Sequence, residues 1–287
     1  MARVSYSQYS TWKSCPHKWE LAYKDKLSEF NENIHLLFGT SMHYVLQEYL
    51  KVVYSKTAGE ADALNLNEML FDKMKEVYLE SKSNEGFKEY TSSSEMGSFY
   101  NDGVDILEFF KKNRSDYFSK KGYKLLGVEI PLEFSVSENI NFVGFLDIVV
   151  ADELSGGVYI YDFKTSTMGW KDKAKKDESK TSQLLLYKNF YSKQYNVPLE
   201  KIHVEFIILK RKLYENVEFP QKRIQRFEPS NGKPSINKVV DNFNNFIQEC
   251  FTSDGSIVEK NYVKIPSKSN CQYCEFNTRL DLCNQRV

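Results

Sequence analysis

Residues 139–165 read NINFVGFLDIVVADELSGGVYIYDFKT, and this stretch decides the fold. Two β-rich runs, 139–152 and 156–165, flank the turn-forming segment Leu154-Ser155-Gly156-Gly157, which predicts a hairpin. The first run carries Asp147 and the second ends in Asp162-Phe163-Lys164. Side chains alternate across a strand, so Asp162 and Lys164 share one face. Tyr159, Tyr161 and Phe163 share the other, where they are expected to pack against helices. Two carboxylates at the ends of adjacent strands make a hard-oxygen site of the kind that takes Mg²⁺ or Mn²⁺. A lysine beside them can serve a water and stabilise charge on a phosphoryl group. Taken alone, the same residues also make an ordinary strand-end ion pair.

Outward from the hairpin, KLLGVEIPLEF (124–134) predicts a preceding strand, with Glu129 as a further acid that either assists a metal or is simply solvated. Downstream, a helix is expected at about 179–195, a β run at 201–211, two short β-like pieces to about 228 and a helix at about 235–251. Upstream, residues 5–27 predict a short helix, a break at Cys15-Pro16 and a second helical stretch, because Pro16 suits a first helical turn. Residues 38–54 predict a helix capped by Thr40 or Ser41, with Val45, Leu46, Tyr49, Leu50 and Val53 at helical spacing. Residues 60–121 continue in helical style around a polar stretch at 81–94, as an inserted subdomain.

The expected fold is therefore α/β, a mixed central sheet flanked by helices, with a helical insertion and a cysteine-bearing terminal lobe. Its regions are an N-terminal helical segment (1–37), a helical region with a histidine motif (38–122), a core (123–230) and a C-terminal helix with its tail (231–287). Apolar residues make up 41 % of the chain and aromatics 15 %, enough for a packed core. Lys plus Arg and Asp plus Glu number 39 each, so no basic coat wraps the protein and any nucleic-acid contact is local. No apolar run approaches the ~20 residues that span a bilayer. The N-terminal residues have no apolar segment of signal type, so the expected compartment is the cytoplasm. There, five cysteines read as metal ligands or thiols rather than disulfides.

The order His43 … Gly144-x-x-Asp147 … Asp162-Phe163-Lys164-Thr165 … Gln183-x-x-x-Tyr187 resembles the RecB-type branch of the PD-(D/E)xK nuclease superfamily, over roughly residues 5–285. The resemblance implies a restriction-endonuclease-like core in which His43, Asp147, Asp162 and the Phe163 carbonyl bind a metal. It gives Lys164 to the attacking water. Gln183 and Tyr187, one turn apart and so on one helix face, would position substrate. The implied activity is Mg²⁺- or Mn²⁺-dependent hydrolysis of DNA, by an exonuclease or end-processing enzyme on single-stranded or unwound DNA in recombination, repair or replication. A non-catalytic DNA-end-binding or assembly subunit is the alternative. No Walker-type Gly-x-x-x-x-Gly-Lys motif is present, so a helicase or recombination partner would be a separate polypeptide.

Cys271-x-x-Cys274, Cys283 and the early Cys15 form a ligand-type grouping, open to zinc as to other thiophilic centres. One early and three late cysteines resemble the iron–sulfur subset of these nucleases, AddB-type and CRISPR-adaptation nucleases among them. That resemblance implies a [4Fe–4S] cluster on the four thiolates. The gap before Cys283 is longer than the family spacing. A tie between Cys15 and the tail would close almost the whole chain into one loop. Cys250, in an amphipathic helix, is expected as a buried thiol. Lys210 and Arg211, at the end of a β run, are expected phosphate contacts, as are Lys171, Lys173, Lys175, Lys176, Arg223 and Arg226 if they surround the site. Trp170, Tyr161 and Tyr187 are read as stacking surfaces or core.

Overall fold

The computed structural model describes residues 1–29, 31–84, 86–118 and 121–284. Residue 30 of the N-terminal segment, residues 85, 119 and 120 of the expected helical block, and residues 285–287 of the tail lie outside the described residues. In chain order the elements are β1 (Ala2–Ser5), α1 (Tyr6–Ser14), α2 (Pro16–Trp19), α3 (Ile34–Ser55), α4 (Ala58–Asp62), α5 (Leu66–Lys82) and α6 (Ser93–Lys112). There follow β2 (Tyr123–Ser137), β3 (Ile140–Asp152), β4 (Gly157–Ser166), α7 (Asp172–Lys175) and α8 (Glu178–Tyr195). The chain closes with β5 (Ile202–Lys210), β6 (Ile224–Phe227), α9 (Lys233–Cys250) and α10 (Lys268–Cys271).

The hairpin forms as the sequence predicts, with Asp152 opposite Gly157 and positive φ at Gly156. It sits in a six-stranded mixed sheet ordered β1-β3-β4-β5-β6, with β2 on the other edge of β3. β4 and β5 run parallel, joined through α8 in the crossover that parallel strands require. One face of the sheet packs on α1, α8 and α9 through residues such as Tyr9, Phe142, Leu184, Phe190 and Phe243. The other carries a second core with α3, α5 and α6, which holds Leu46, Leu70, Ile106, Tyr161 and Phe163.

Pro16 opens α2 as expected. Two local expectations change. The helix read as 38–54 starts at Ile34, where the Asn33 side chain accepts the Leu36 N–H at 3.0 Å. Ser41, expected as a cap, is instead buried inside the helix and donates to the Leu37 carbonyl at 2.8 Å. β1 was invisible to periodicity because four residues are too few; Val4, fully buried opposite Phe142, supplies its anchor.

One feature of the sheet places the site. β2 pairs with β3 along its length, so β1 and β4 share the opposite edge of β3. β1 occupies that edge over 140–143, and β4 occupies it only from Ile148. Gly144–Asp147 lies in the fork between them. On the two sides of the fork, residues of the same parity enter different cores. Phe142 and Leu146 pack into the first, Ile148 and Val150 into the second. On β2 the switch comes at Glu129, whose φ is +48°: Val128 packs into the second core and Ile130 against the first. A residue in the left-handed region redirects the strand and re-aims its own side chain.

Candidate active site

Continued by one residue, the β3–β4 register would set Asp147 opposite Asp162. Facing carboxylates oppose strand pairing, and the ladder ends there. The Asp147 side chain takes over the bond: its Oδ2 accepts the Phe163 N–H at 2.7 Å. Asp162 is 2 % exposed. Its Oδ2 lies 2.7 Å from the Lys164 ammonium, as alternation across the strand predicts. Lys164 is thus the charged partner of this buried carboxylate.

His43 enters from α3, on the other side of the sheet. Its ring packs edge-on against Phe163 and its Nδ1 lies 3.5 Å from Asp147 Oδ2. One turn later on the same helix, buried Gln47 donates to Glu129 Oε1 at 2.6 Å. Ligand atoms of His43, Glu129 and Asp147 all lie within 4.8 Å of one another, the sole such trio of His, Cys, Asp or Glu among the described residues. Gln47 is a residue that sequence reading missed. Its signal was present, an amide four positions after the histidine on one helix face.

From the first core, α8 presents Gln183, whose amide donates to the Tyr187 hydroxyl at 3.2 Å. Tyr187 lies against Gly144, where a Cβ would stand only 3.1 Å from its ring. Glycine at the fork thus lets the phenol approach the strand. The open fork brings His43 and Gln47 from one helical layer together with Lys164 of β4 and with Gln183 and Tyr187 from the other layer.

Crowding of acids under poor solvation sets the protonation equilibria. Burial, then the neighbouring Asp162 carboxylate, holds the Asp147 carboxyl well above its usual range. Burial pulls His43 down, favouring the neutral ring that can ligate a metal. Burial also opposes the Lys164 cation, but Asp162 and Asp147 outweigh it and the ammonium is held above its usual pKa. Burial raises the Tyr187 phenol, which keeps its proton.

Among the other expected contacts, several side chains are engaged within the fold. Arg211, 8 % exposed, pairs with buried Asp102 at 3.2 Å and stacks over Phe99, so its guanidinium is engaged inside the fold. Lys210 is half-buried and its ammonium is disfavoured by burial and by Arg223. Arg223 and Arg226 pair with Asp105 and Glu205. Tyr161 is core, and Trp170 packs on Phe206 and Phe227.

At the chain ends, Cys15, Cys271, Cys274 and Cys283 line one cavity with His17, Lys18 and Lys264. Side chains next to the cysteines cross-brace it. Asn270 donates to the Ser14 carbonyl at 2.8 Å, and the His17 ring bonds the Leu282 carbonyl at 3.1 Å. The other ring nitrogen of His17 meets Glu20, so the histidine is a brace and not a further ligand. Cys250 is fully buried and burial pushes its thiol up to about 12.

A split mixed sheet with acids at the fork and a lysine beside them is the arrangement of a hydrolytic nuclease. Residues 3–279 match the PD-(D/E)XK nuclease superfamily, and the chain belongs to it. Among solved structures, a protein from Eubacterium rectale, provisionally described as an exonuclease, aligns over 96 % of this chain and 87 % of its own. Identity is 13 % and the TM-score 0.55, a likeness of fold. Protein VC1899 from Vibrio cholerae aligns over 72 % of this chain and 49 % of its own at 10 % identity, with a TM-score of 0.23. No curated protein matches the chain significantly. No helix among the described residues is long and apolar enough to cross a membrane.

Proposed function

We propose that this protein is a Mg²⁺- or Mn²⁺-dependent deoxyribonuclease that processes ends or single-stranded, unwound DNA in recombination, repair or replication. One observation carries the reading. His43, Glu129 and Asp147 converge within 4.8 Å at the fork, beside the buried Asp162 carboxylate that pairs with Lys164. An imidazole with several carboxylates suits a hard divalent cation, held by His43, Asp147 and Asp162 with Glu129 and the Phe163 carbonyl as further donors. Bound there, such an ion polarises the scissile phosphate and lowers the pKa of a water.

The chain's own residues supply the rest. The Phe163 N–H fixes the rotamer of Asp147, and Gln47 fixes that of Glu129. Lys164, held cationic by Asp162, faces the charge that builds on the phosphate in the transition state. The Tyr187 hydroxyl keeps its proton and, with the Gln183 amide, offers donors that orient the substrate.

In the terminal lobe the same reading gives Cys15, Cys271, Cys274 and Cys283 a [4Fe–4S] cluster that ties the chain ends together. Their shared cavity supports it.

The test is hydrolysis of end-labelled single- and double-stranded DNA and of RNA with Mg²⁺, Mn²⁺ or EDTA, under anaerobic conditions. Metal-dependent cleavage of DNA that Asp162→Ala abolishes while DNA binding persists supports the enzyme. Inactivity on every substrate leaves a non-catalytic DNA-end-binding subunit. Elemental analysis of the same preparation reads iron against zinc.

A further inference from the structure

The sheet has an outward face that leads into the fork. Over β1 and the distal halves of β2 and β3, inward residues Val4, Leu132, Phe142 and Leu146 pack into the first core. The alternate residues face outward: Arg3, Pro131, Glu133 and Ser135 are exposed, and Asn141 and Val143 half-buried. At the inner end stands Phe145, 57 % exposed, opposite Pro131 in the register and two residues before Asp147. Two strand residues span about 6.6 Å. Single exposed aromatics are common on protein surfaces; what sets Phe145 apart is its place beside the acids of the fork. Phe145 makes no ring contact among the described residues, although most aromatics of this chain are packed against one another.

We propose that Phe145 is the stacking platform for a base of the single strand entering the site, and that the outward sheet face from Phe145 toward Arg3 is the track on which that strand lies. The proposal rests on the nuclease reading of the fork and names its substrate as a single strand. Stacking needs an exposed π-face within a nucleotide's reach of the scissile phosphate, and Phe145 meets both conditions. The aromatics first expected in that role do not, since Tyr161 and Tyr187 are buried and Trp170 packs against Phe206 and Phe227. A duplex end keeps its bases paired and stacked on each other, so it gains nothing from the ring until the terminal pairs open. Arg3 supplies the positive charge on the track, and Glu133, held by the Asn141 amide at 3.0 Å, is the negative group upon it. The track therefore holds its strand by stacking more than by phosphate contacts.

The experiment measures binding of a short single strand carrying 2-aminopurine at successive positions, in an Asp162→Asn background with Mg²⁺. One position is expected to be quenched by the protein. Phe145→Ala should abolish that quench and weaken binding by ~10- to 100-fold, the range of one lost base stack, and Phe145→Trp should restore both. Phe71→Ala, which removes an equally exposed ring on remote α5, should change neither. Because Phe145 is exposed, its removal does not disturb folding, and a circular-dichroism melt checks this. In the active background, Phe145→Ala should raise KM for single strands with kcat little changed. Equal binding and quenching in the wild type and Phe145→Ala overturns the inference. Cleavage of DNA by the wild type alongside that result leaves the nuclease reading standing. Phe145-dependent stacking in a protein that cleaves nothing overturns the nuclease reading instead and supports the platform.

Discussion

Replacing Asp147 by asparagine separates two roles for its carboxylate, stitching the fork and binding a cation. The change removes a charge and almost no volume. Oδ2 accepts the Phe163 N–H at 2.7 Å, and an asparagine oxygen can accept the same bond. Asp147 and Glu129 ligand atoms lie within 4.8 Å, so at an effective dielectric constant of about 20 their unscreened repulsion is at least about 3.5 kcal/mol. Glu129 is exposed, and screening leaves a fraction of that; Asp162 adds to it. Against this stand a lost attraction to Lys164 and a hydrogen bond weakened by about 1 kcal/mol once its acceptor is neutral. The variant in EDTA is therefore expected to equal the wild type or exceed it by up to about 2 kcal/mol. Mn²⁺ at a hundred times its Kd should stabilise the wild type by about 2.7 kcal/mol and the variant far less. DNA cleavage should fall by roughly 10²- to 10³-fold or more. Urea denaturation with EDTA and with Mn²⁺ measures each part. A variant more than about 1 kcal/mol less stable than the wild type in EDTA, with an unchanged gain from Mn²⁺, would refute the reasoning and make the carboxylate a structural stitch.

Three further outcomes are expected. Asp102→Ala should cost about 3–5 kcal/mol, because it leaves Arg211 buried without its partner; an additive Asp102→Ala/Arg211→Met double variant in thermal melts would show that the two are not coupled. Glu178 joins α8 to Lys13 of α1 and Lys238 of α9, and these partners lower its carboxyl to about 2. That stability is fully present above the unfolded value near 4.5 and is lost as pH falls toward 2. The group is largely exposed, so Glu178→Gln should cost at most about 1 kcal/mol at pH 7, and a cost unchanged at pH 3 would count against the ion pairs. Finally, Asn270→Ala and His17→Phe remove the braces beside the cysteines. Each should lower the iron-to-protein ratio of anaerobically purified protein while far-UV circular dichroism stays constant, and full iron occupancy in both would remove the braces from the account.

Much of the site was legible because it rests on local rules. Strand alternation put Asp162 and Lys164 on one face, and helical spacing put Gln183 beside Tyr187; both pairs are in contact. Glu129 could not be placed, since its aim depends on a left-handed backbone within a strand that no periodicity reveals. Arg211 read as a surface cation because charge at a strand end usually is, and Asp102, 109 residues earlier, drew it inside. The exposure of Phe145 is not written in the sequence, because exposure belongs to the sheet face and not to the residue.

The opening stretch, 139–165, determined by itself a hairpin with an acid on one strand and an acid–lysine pair on the other, since alternation and turn chemistry act over a few residues. Only the tertiary structure decided that β1 and β4 share one edge of β3 and leave a fork at Asp147. That fork exists because two carboxylates would face each other one step beyond the last rung of the ladder. It admits His43 from one helical layer and Tyr187 from the other, residues 144 positions apart in the chain. Distance along a chain carries no information about such meetings; they follow from which strands find each other's edges.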